Sequence, residues 1–289
     1  MTHDTLSCAK QASRFHRKGH SVNAQQLLRA KLPLKLKETA ANDKPLSGDD
    51  KAADLSRTAE LAEQISAWQD IFYAEDRRKL LVILQGMDTS GKDGTVRGVF
   101  HRLDPLGVRT VSFKSPSVTE RAHDYLWRVH REVPAQRELV IFNRSHYEDV
   151  LYPAVHGQID ARECKRRYQH IKEFERMLSE TGTVLLKFFL HISRDEQKQR
   201  LAERLADPEK HWKVDLNDLE ERKYWDDYQN LYEKAITETD TDDAPWYVIP
   251  ADSKSHRNLA IASVVAETMQ GMKLAYPPPN PDYFKVQVK

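Results

Sequence analysis

A glycine-rich segment follows a short apolar run in the first third of the chain. Residues 86–95 read Gly-Met-Asp-Thr-Ser-Gly-Lys-Asp-Gly-Thr and match the pattern G-x-x-x-x-G-K, in which the lysine is Lys92. Glycines let such a loop curl so that successive N–H groups face one anion, and the lysine and the following helix add positive charge. The apolar run 80–84 is the strand that this pattern requires. The segment predicts a phosphate-binding loop, with a plain glycine turn as the alternative.

Acidic residues lie inside and just after this loop. Asp93 occupies the position where serine or threonine usually holds Mg²⁺, and Asp88 lies within the loop. Carboxylates repel bound phosphates unless a divalent cation lies between them. Asp88 is therefore predicted to bind a metal ion or to orient the phosphate acceptor. For Asp93 the alternative is stabilisation of a helix start.

A second polar segment, residues 143–149, follows a later apolar run. Ligands of open α/β sheets gather at strand ends of this kind. Asn143 can orient a water on a metal ion but cannot neutralise the charge of the ion. Asp88 is therefore expected to supply more of the negative charge that a metal ion needs. Arg144 can hold phosphate oxygens through two parallel hydrogen bonds. Glu148 either acts beside them or only stabilises a helix start.

Basic residues further along predict a lid at about residues 200–225. Arg200 and Arg204 lie one helical turn apart, and the loop 207–213 adds Lys210 and Lys213. Phosphoryl transfer needs positive groups that close over the migrating phosphate and exclude water. Ordinary ion pairs with acidic residues of the same helix are the alternative.

The elements that must position these residues follow from hydrophobic periodicity. Apolar residues spaced as on one helical face predict an amphipathic helix over 56–76. Helical patterns also separate five apolar or β-branched runs, which indicates a parallel, doubly wound sheet and an α/β fold. The predicted strands are 80–84, 108–113, 139–142, 184–192 and 246–249.

The composition excludes several classes of protein. The 289 residues include 45 Lys and Arg against 44 Asp and Glu, so the net charge of +1 by itself predicts no polyanion partner, and any electropositive site must come from local clustering. No nucleic acid is expected. The two cysteines, Cys8 and Cys164, lie far apart without a ligand pattern, which argues against a disulfide framework and structural zinc. No run of about 18 apolar residues is present, so no membrane span is predicted. A cytoplasmic protein is expected.

The N-terminal segment differs in charge from the rest of the chain. Between residues 5 and 37 there are eight Lys and Arg and no acidic residue. We predict that residues 1–55 are a basic, partly disordered arm and linker, and that 56–289 form one domain with the lid. The arm is interpreted as a solvated tail, with a polyanion or subunit contact as the alternative.

Several separated segments together resemble the polyphosphate kinase 2 family, whose members are polyphosphate:nucleotide phosphotransferases. The form Asn-Arg-Ser-His-Tyr-Glu-Asp of residues 143–149 resembles the subgroup that uses nucleoside mono- and diphosphates. The segments that carry the resemblance, from about residue 60 onward, are 86–95, 111–116, 123–128, 142–151, 207–213 and 244–252.

The resemblance implies a fold, an activity and roles for residues. The fold would be of the P-loop kinase type with a helical lid, and the reaction a Mg²⁺-dependent (or Mn²⁺-dependent) reversible phosphoryl transfer between inorganic polyphosphate and ADP or AMP. Homodimers or homotetramers are implied. Asp88, Lys92, Arg144 and Arg204 would be catalytic, and Asp88 and Asn143 would hold the metal. The residues predicted to bind phosphate or nucleotide are Gly86, Met87, Thr89, Ser90, Gly91, Asp93, Gly94, Thr95, Lys114, Asn143, Glu148, Arg200, Lys210 and Lys213.

Two other functions stay open on the residues alone. An ATP-dependent P-loop nucleoside or nucleotide kinase would use the same loop, and so would a nucleotide-binding regulator without enzymatic activity. The phosphoryl donor separates the first of these from a polyphosphate-dependent enzyme, and turnover separates the second.

Overall fold

The computed structural model describes residues 23–286, and its centre is a sheet of five parallel strands in the order β2-β3-β1-β4-β5. The connections after β1 and β4 leave in opposite directions, which opens a crevice at the carboxyl ends of these neighbouring strands. The predicted α/β fold and parallel sheet are confirmed, each strand lying within two residues of its expected bounds. The strands are β1 (Lys79–Gln85), β2 (Val108–Ser112), β3 (Leu139–Asn143), β4 (Thr183–His191) and β5 (Trp246–Pro250).

Helices cover both faces of the sheet and complete three layers. The α-helices are α1 (Ala24–Leu28), α2 (Lys51–Glu75), α3 (Lys92–Val99), α4 (Val118–Arg121), α5 (Trp127–His130), α6 (Glu148–Val155), α7 (Ala161–Glu180), α8 (Arg194–Ala206), α9 (Leu216–Glu221), α10 (Trp225–Thr239) and α11 (Lys254–Gly271). Short 3-10 helices are Glu38–Asn42, Pro208–Lys213, Arg222–Tyr224 and Pro281–Lys285.

Strand β1 shows how the sheet separates two hydrophobic cores. Leu80, Val82 and Leu84 point to the layer of α2, α3 and α11, while Leu81 and Ile83 point to the layer that includes α7. All five side chains are fully buried. Alternate residues of a strand face opposite sides, so a strand covered on both faces must be apolar throughout. The loop that follows β1 therefore starts from a fully buried strand at the centre of the sheet.

The segment that precedes α2 packs onto the domain wherever the structure describes it. Residues 1–22 of the predicted arm lie outside the described residues. From residue 23 on, the chain differs from the expected solvated tail, because Leu28 and Leu34 are buried and the Ala24 and Gln25 N–H groups donate to Glu267. Helix α2 begins at Lys51, five residues before its predicted start.

Helices α4 and α8 both begin after a serine that is followed three residues later by a glutamate, but the two caps form differently. Ser117 and Glu120 make both reciprocal hydrogen bonds of a capping box at α4. At α8, Ser193 accepts from the Glu196 N–H, but the Glu196 carboxylate turns to Arg200 instead. No helix among residues 23–286 is long and apolar enough to cross a membrane.

Candidate active site

The glycine-rich loop takes a backbone path that only its residue types allow. Gly86 and Gly91 have φ angles of 152° and 104°, in the region that favours glycine. A Cβ at Gly86 would lie 2.7 Å from the Leu190 carbonyl oxygen of β4. Thr89 also has a positive φ, of 63°. The loop is thus a tight curl beside the end of β4, followed at once by α3.

Lys92 lies inside this curl. Its Nζ donates to the carbonyl oxygens of Gly86, at 2.7 Å, and Met87, at 3.2 Å, and the side chain is buried. Burial lowers the pKa of Lys92, and the nearby Arg144 charge lowers it further. The ammonium has exchanged water for two loop carbonyls, so its charge is positioned at the loop before any anion binds.

Buried hydroxyl groups surround the same loop. The hydroxyl oxygens of Thr89, Ser90 and Thr95 have no hydrogen-bond partner within the part of the chain that the structure describes. Buried polar groups in folded proteins are nearly always paired, so three unpaired ones in seven residues are unusual. They fit a loop whose polar partners include a ligand.

An ion pair joins the loop to the end of β3. Arg144 Nη2 donates to Asp88 Oδ1 at 2.6 Å, and the Arg144 N–H donates to the Leu84 carbonyl. Arg144 has a φ of 63°, a conformation that costs free energy and is found mostly at functional positions. This turn points the guanidinium back at the loop, because β1 and β3 are neighbours in the sheet.

Oxygen ligands for a metal ion lie at the same edge. Asn143 Nδ2 donates to Asp93 Oδ1 at 2.6 Å, so these two residues are neighbours, and Asp88 lies within the loop. No three His, Cys, Asp or Glu residues among residues 23–286 form a metal site of protein ligands alone. Mg²⁺ commonly takes only one or two carboxylates together with waters and substrate phosphates, so the oxygens present fit this ion.

Glu148 is the third acid at this edge. Burial raises the pKa of Glu148, and the charges of Arg144 and Lys92 oppose that rise. With its amide nitrogen facing Glu148, Gln85 donates to Oε1 at 2.9 Å and its oxygen accepts from the Ser145 N–H. Glu148 is thus fixed beside the two cations.

A fully buried network supports the segment 143–149 from below. Lys187 Nζ donates to Glu175 at 2.6 Å and to the Thr239 carbonyl at 2.8 Å. Glu175 also accepts from the Tyr147 hydroxyl at 2.9 Å and lies 3.2 Å from His146 Nε2. His146 is thus part of this buried structural network.

Arg200 is not placed as predicted. Its Nη1 donates to the carbonyls of Thr89 and Ser90, and its Nη2 to those of Ala251 and Asp252. The Nε donates to Glu196 at 2.7 Å, so all five N–H bonds of the guanidinium are used. Arg200 supports the loop from behind and has no N–H left for a phosphate in this arrangement.

The other basic residues of the predicted lid lie further out. Arg204 Nη1 is 3.3 Å from Asp218 of α9. Burial and then the charge of Asp88 raise the pKa of Asp218 to about 6. Lys210 pairs with Asp207 at the surface, and Lys213 belongs to the short helix that follows. Asp218, in the predicted lid segment, is thus close enough to the loop for the charge of Asp88 to affect its pKa.

Lys114 follows β2 at the far end of the sheet. Its side chain is exposed, and its carbonyl accepts from Arg128 Nη1 at 2.7 Å. Arg128 also pairs with Asp149, which connects this strand end to the segment 143–149. Lys114 thus follows the strand end next to Asn143, whose carbonyl accepts from the Phe113 N–H.

Sequence analysis missed Arg257 of α11. Its guanidinium packs against Gly91 and Gly94, and Nη1 lies 3.4 Å from the Ser90 carbonyl. No motif contains Arg257, which lies 163 positions after Gly94 in the chain. The only local signal is the spacing of glycines at 91, 94 and 98, which lie on one face of α3 and mark a close neighbour.

Comparisons with known proteins identify the family. The family described as polyphosphate kinase 2 matches residues 48–277. An AMP/ADP-polyphosphate phosphotransferase of Meiothermus ruber is 52% identical over 83% of this chain and 90% of its own length. An ADP-polyphosphate phosphotransferase of Rhodopseudomonas palustris is 44% identical over 76% and 80%.

A solved structure supports the same assignment. The crystal structure of polyphosphate kinase 2 from Arthrobacter aurescens superposes with a TM-score of 0.87 at 39% identity, covering 91% of this chain and 94% of that one. The sequence motifs, the site geometry and the fold agree with these comparisons. This chain belongs to the polyphosphate kinase 2 family.

Proposed function

We propose that this protein transfers a phosphoryl group reversibly between inorganic polyphosphate and a nucleotide, forming ATP from ADP and ADP from AMP. The observation that carries the proposal is the cluster at the ends of β1 and β3, where Lys92 lies inside the loop and Arg144 pairs with Asp88 at 2.6 Å. The names of the Meiothermus ruber and Rhodopseudomonas palustris relatives supply the two substrate classes.

The residues act by positioning and by charge. Phosphoryl transfer spreads negative charge over the migrating group, and the enzyme lowers the barrier by placing fixed positive charges around it. Lys92 and Arg144 supply these charges, and the N–H groups of the loop face the phosphates. Asp88 orients the acceptor, and Arg204 arrives with the lid. Transfer is direct and in line, with no covalent phospho-enzyme.

Mg²⁺, or Mn²⁺ in its place, would be held by Asp88 and Asn143, with Asp93 beside them. When bound, the ion would neutralise charge between the donor and acceptor phosphates. The Asp88–Arg144 pair then has a second use, since a metal ion at Asp88 would free the guanidinium to turn to a phosphate. Assembly as a homodimer or homotetramer is part of the same proposal.

The activity is tested by nucleotide chromatography. Purified protein with Mg²⁺ and polyphosphate is mixed with ADP or with AMP, and a matched tube omits polyphosphate. We expect ATP from ADP and ADP from AMP only when polyphosphate is present. Product formation from ATP as the only donor would favour a nucleotide kinase, and nucleotide binding without any turnover would favour a regulator.

Two variants test the assignment of residues. Lys92→Ala and Asp88→Ala are each expected to reduce kcat by about a hundredfold or more, the loss typical when a group that stabilises transition-state charge is removed. Arg176→Ala is the control, because Arg176 is an exposed residue of α7 paired with Glu173. Normal turnover by either loop variant, with an unchanged circular dichroism spectrum, would refute the assignment.

A further inference from the structure

Arg257 presses on the phosphate loop more closely than a side chain at Gly91 would allow. A Cβ at Gly91 would lie 1.8 Å from Arg257 Nη1, and one at Gly94 would lie 3.0 Å from Nη2. One turn further along α3, a Cβ at Gly98 would lie 2.1 Å from Asn258 Nδ2. The three glycines form a strip against which Arg257 and Asn258 of α11 pack directly.

Asn258 fixes the orientation of this guanidinium. Its Oδ1 accepts from Arg257 Nη2 at 2.9 Å and from Nε at 3.2 Å. Arg257 Nη1 then faces the Ser90 carbonyl, the residue just before Gly91. The charge is therefore directed at the point where the loop becomes α3, immediately beside Lys92.

The charge of Arg257 has no acidic counterpart among residues 23–286. Its hydrogen bonds go to an amide oxygen and a carbonyl, and no carboxylate lies within ion-pair distance. The neighbouring Arg200 is paired with Glu196, so the two guanidiniums together leave one positive charge unbalanced behind the loop. Burial of an unpaired charge costs free energy, so buried charges in folded proteins are normally balanced by a partner.

Arg257 nevertheless stays charged at neutral pH. Burial lowers the pKa of Arg257 and the charge of Arg200 lowers it further, to about 9. Both effects show a cation that the protein surroundings do not compensate. A nearby anion would relieve both.

We propose that Arg257 is a phosphate-positioning residue, whose buried charge is balanced by the phosphate groups that bind at loop 86–91. The inference rests on the proposed function, which places those groups on the other side of Gly91. Arg257 acts through the loop backbone and through its field, which is strong here because buried charges are screened little by water or salt. It adds to the charge of Lys92 without occupying space in the substrate site.

A purely structural role for Arg257 would give a different experimental result. If Arg257 served only to pack α11 against α3, its loss would lower thermal stability and leave anion affinity alone. If its charge is balanced by ligand, its loss lowers affinity, and a lysine at the same position restores it.

Isothermal titration calorimetry on the full chain tests this with two ligands, inorganic tripolyphosphate and ADP. Arg257→Gln removes the charge, and Arg257→Lys keeps it. Lys254→Gln is the control, because it removes an exposed charge three residues earlier on the same helix. We expect Arg257→Gln to weaken binding at least tenfold for whichever ligand has its phosphates at the loop. The affinities of Arg257→Lys and Lys254→Gln for that ligand are expected to stay within threefold of the affinity of the unaltered protein.

The outcomes separate the inference from the function on which it rests. Unchanged affinity of Arg257→Gln for both ligands, with binding by the unaltered protein intact, overturns only the role of Arg257. Should Arg257→Gln not fold, a tenfold loss in Arg257→Lys overturns that role as well, since the charge would still be present. An unaltered protein that binds neither ligand refutes the proposed function and the inference together.

Discussion

Charged side chains at the loop are held by protein groups before a substrate arrives, and this is the main feature of the site at the scale of residues. Lys92 donates to loop carbonyls, Arg144 pairs with Asp88, and Arg257 has no acidic partner among the described residues. Pre-positioned charges need no reorganisation when negative charge moves during the reaction. Burial of such a charge opposes folding, and it lowers the pKa of Lys92 because the charged form is less stable inside the protein than in water.

Asp218, in the predicted lid segment, gives the stability of the protein a dependence on pH. Its pKa is raised to about 6 by burial and by Asp88, whereas an unfolded aspartate has a pKa near 4. The ionised form therefore destabilises the folded protein above pH 6, and this penalty disappears as the pH falls from about 6 to 4. We expect Asp218→Asn to raise the Tm at pH 7 to 8 by a few degrees, with the difference closing towards pH 4.

Thermal unfolding at several pH values checks this. Asp207→Asn, in the same segment, is the matched control, because the hydrogen bond from Lys210 lowers the pKa of Asp207 and gives the opposite sign. That variant should gain nothing above pH 6. A Tm difference between Asp218→Asn and the unaltered protein that stays constant with pH would contradict the prediction.

The sequence predicts which residues lie together at the loop when they belong to one continuous motif. It does not predict residues that reach the loop from distant parts of the chain. Asp88 and Lys92 share a loop, and Arg144 follows a neighbouring strand, so local pattern and sheet geometry bring them together. Arg200 was assigned to the substrate because the spacing of two arginines cannot show which side of a helix faces the loop. Arg257 depends on how α11 crosses α3, which no spacing in the sequence encodes.

Helix α8 supports the phosphate loop at the scale of elements, through Arg200. The guanidinium joins the loop carbonyls of Thr89 and Ser90 to those of Ala251 and Asp252 after β5. Arg200→Gln would leave several buried carbonyls and Glu196 without donors. We expect a loss of about 3–5 kcal/mol in the free energy of unfolding, the usual cost of removing one partner of a buried charged network.

Urea denaturation measures this loss. Arg200→Lys should recover little of it, because an ammonium cannot reproduce five N–H bonds in a planar fork. Arg57→Gln, an exposed residue of α2 paired with Glu60, is the control and should change stability by about 0.5 kcal/mol or less. Full stability of Arg200→Gln would show that the hydrogen bonds behind the loop are replaceable.

Element types were easier to predict than element ends and neighbours. The apolar runs located every strand of the sheet, because strands buried on both faces must be continuous in hydrophobicity. The start of α2 was missed, since Asp50 accepts from the Ala52 and Ala53 N–H groups outside the apolar pattern. The sheet order came only from the structure, because helical connections of similar length permit several orders.

At the scale of the whole molecule, more of the N-terminal segment packs onto the domain than its basic composition predicted. Residues 23–50 were predicted as part of an arm and linker, yet Arg29 pairs with Asp240 at 2.8 Å and the Ala30 N–H donates to the Trp246 carbonyl of β5. His191, at the end of β4, is 2.9 Å from the Lys37 carbonyl. A basic composition did not reveal these contacts, because each depends on a residue about 150 or more positions away.

Two truncations separate this packed segment from the residues before it. Removal of residues 1–49 keeps the Asp50 cap of α2 but exposes the surface that buries Leu28 and Leu34. At about 1.5–3 kcal/mol for each buried leucine, we expect a loss of about 3–6 kcal/mol in the free energy of unfolding. Removal of residues 1–22 is expected to leave the Tm and the KM for polyphosphate unchanged, as a solvated tail would.

Thermal unfolding, gel filtration and a polyphosphate titration on both truncations decide between the interpretations of the arm. If removal of residues 1–22 raises the KM for polyphosphate, and raises it more at low salt than at high salt, the basic residues of this segment are a polyanion contact. Exposed charges act at longer range when the salt concentration is low. A change in assembly with unchanged KM would identify a subunit contact instead. Equal stability of both truncations would show that residues 23–49 do not hold the domain together.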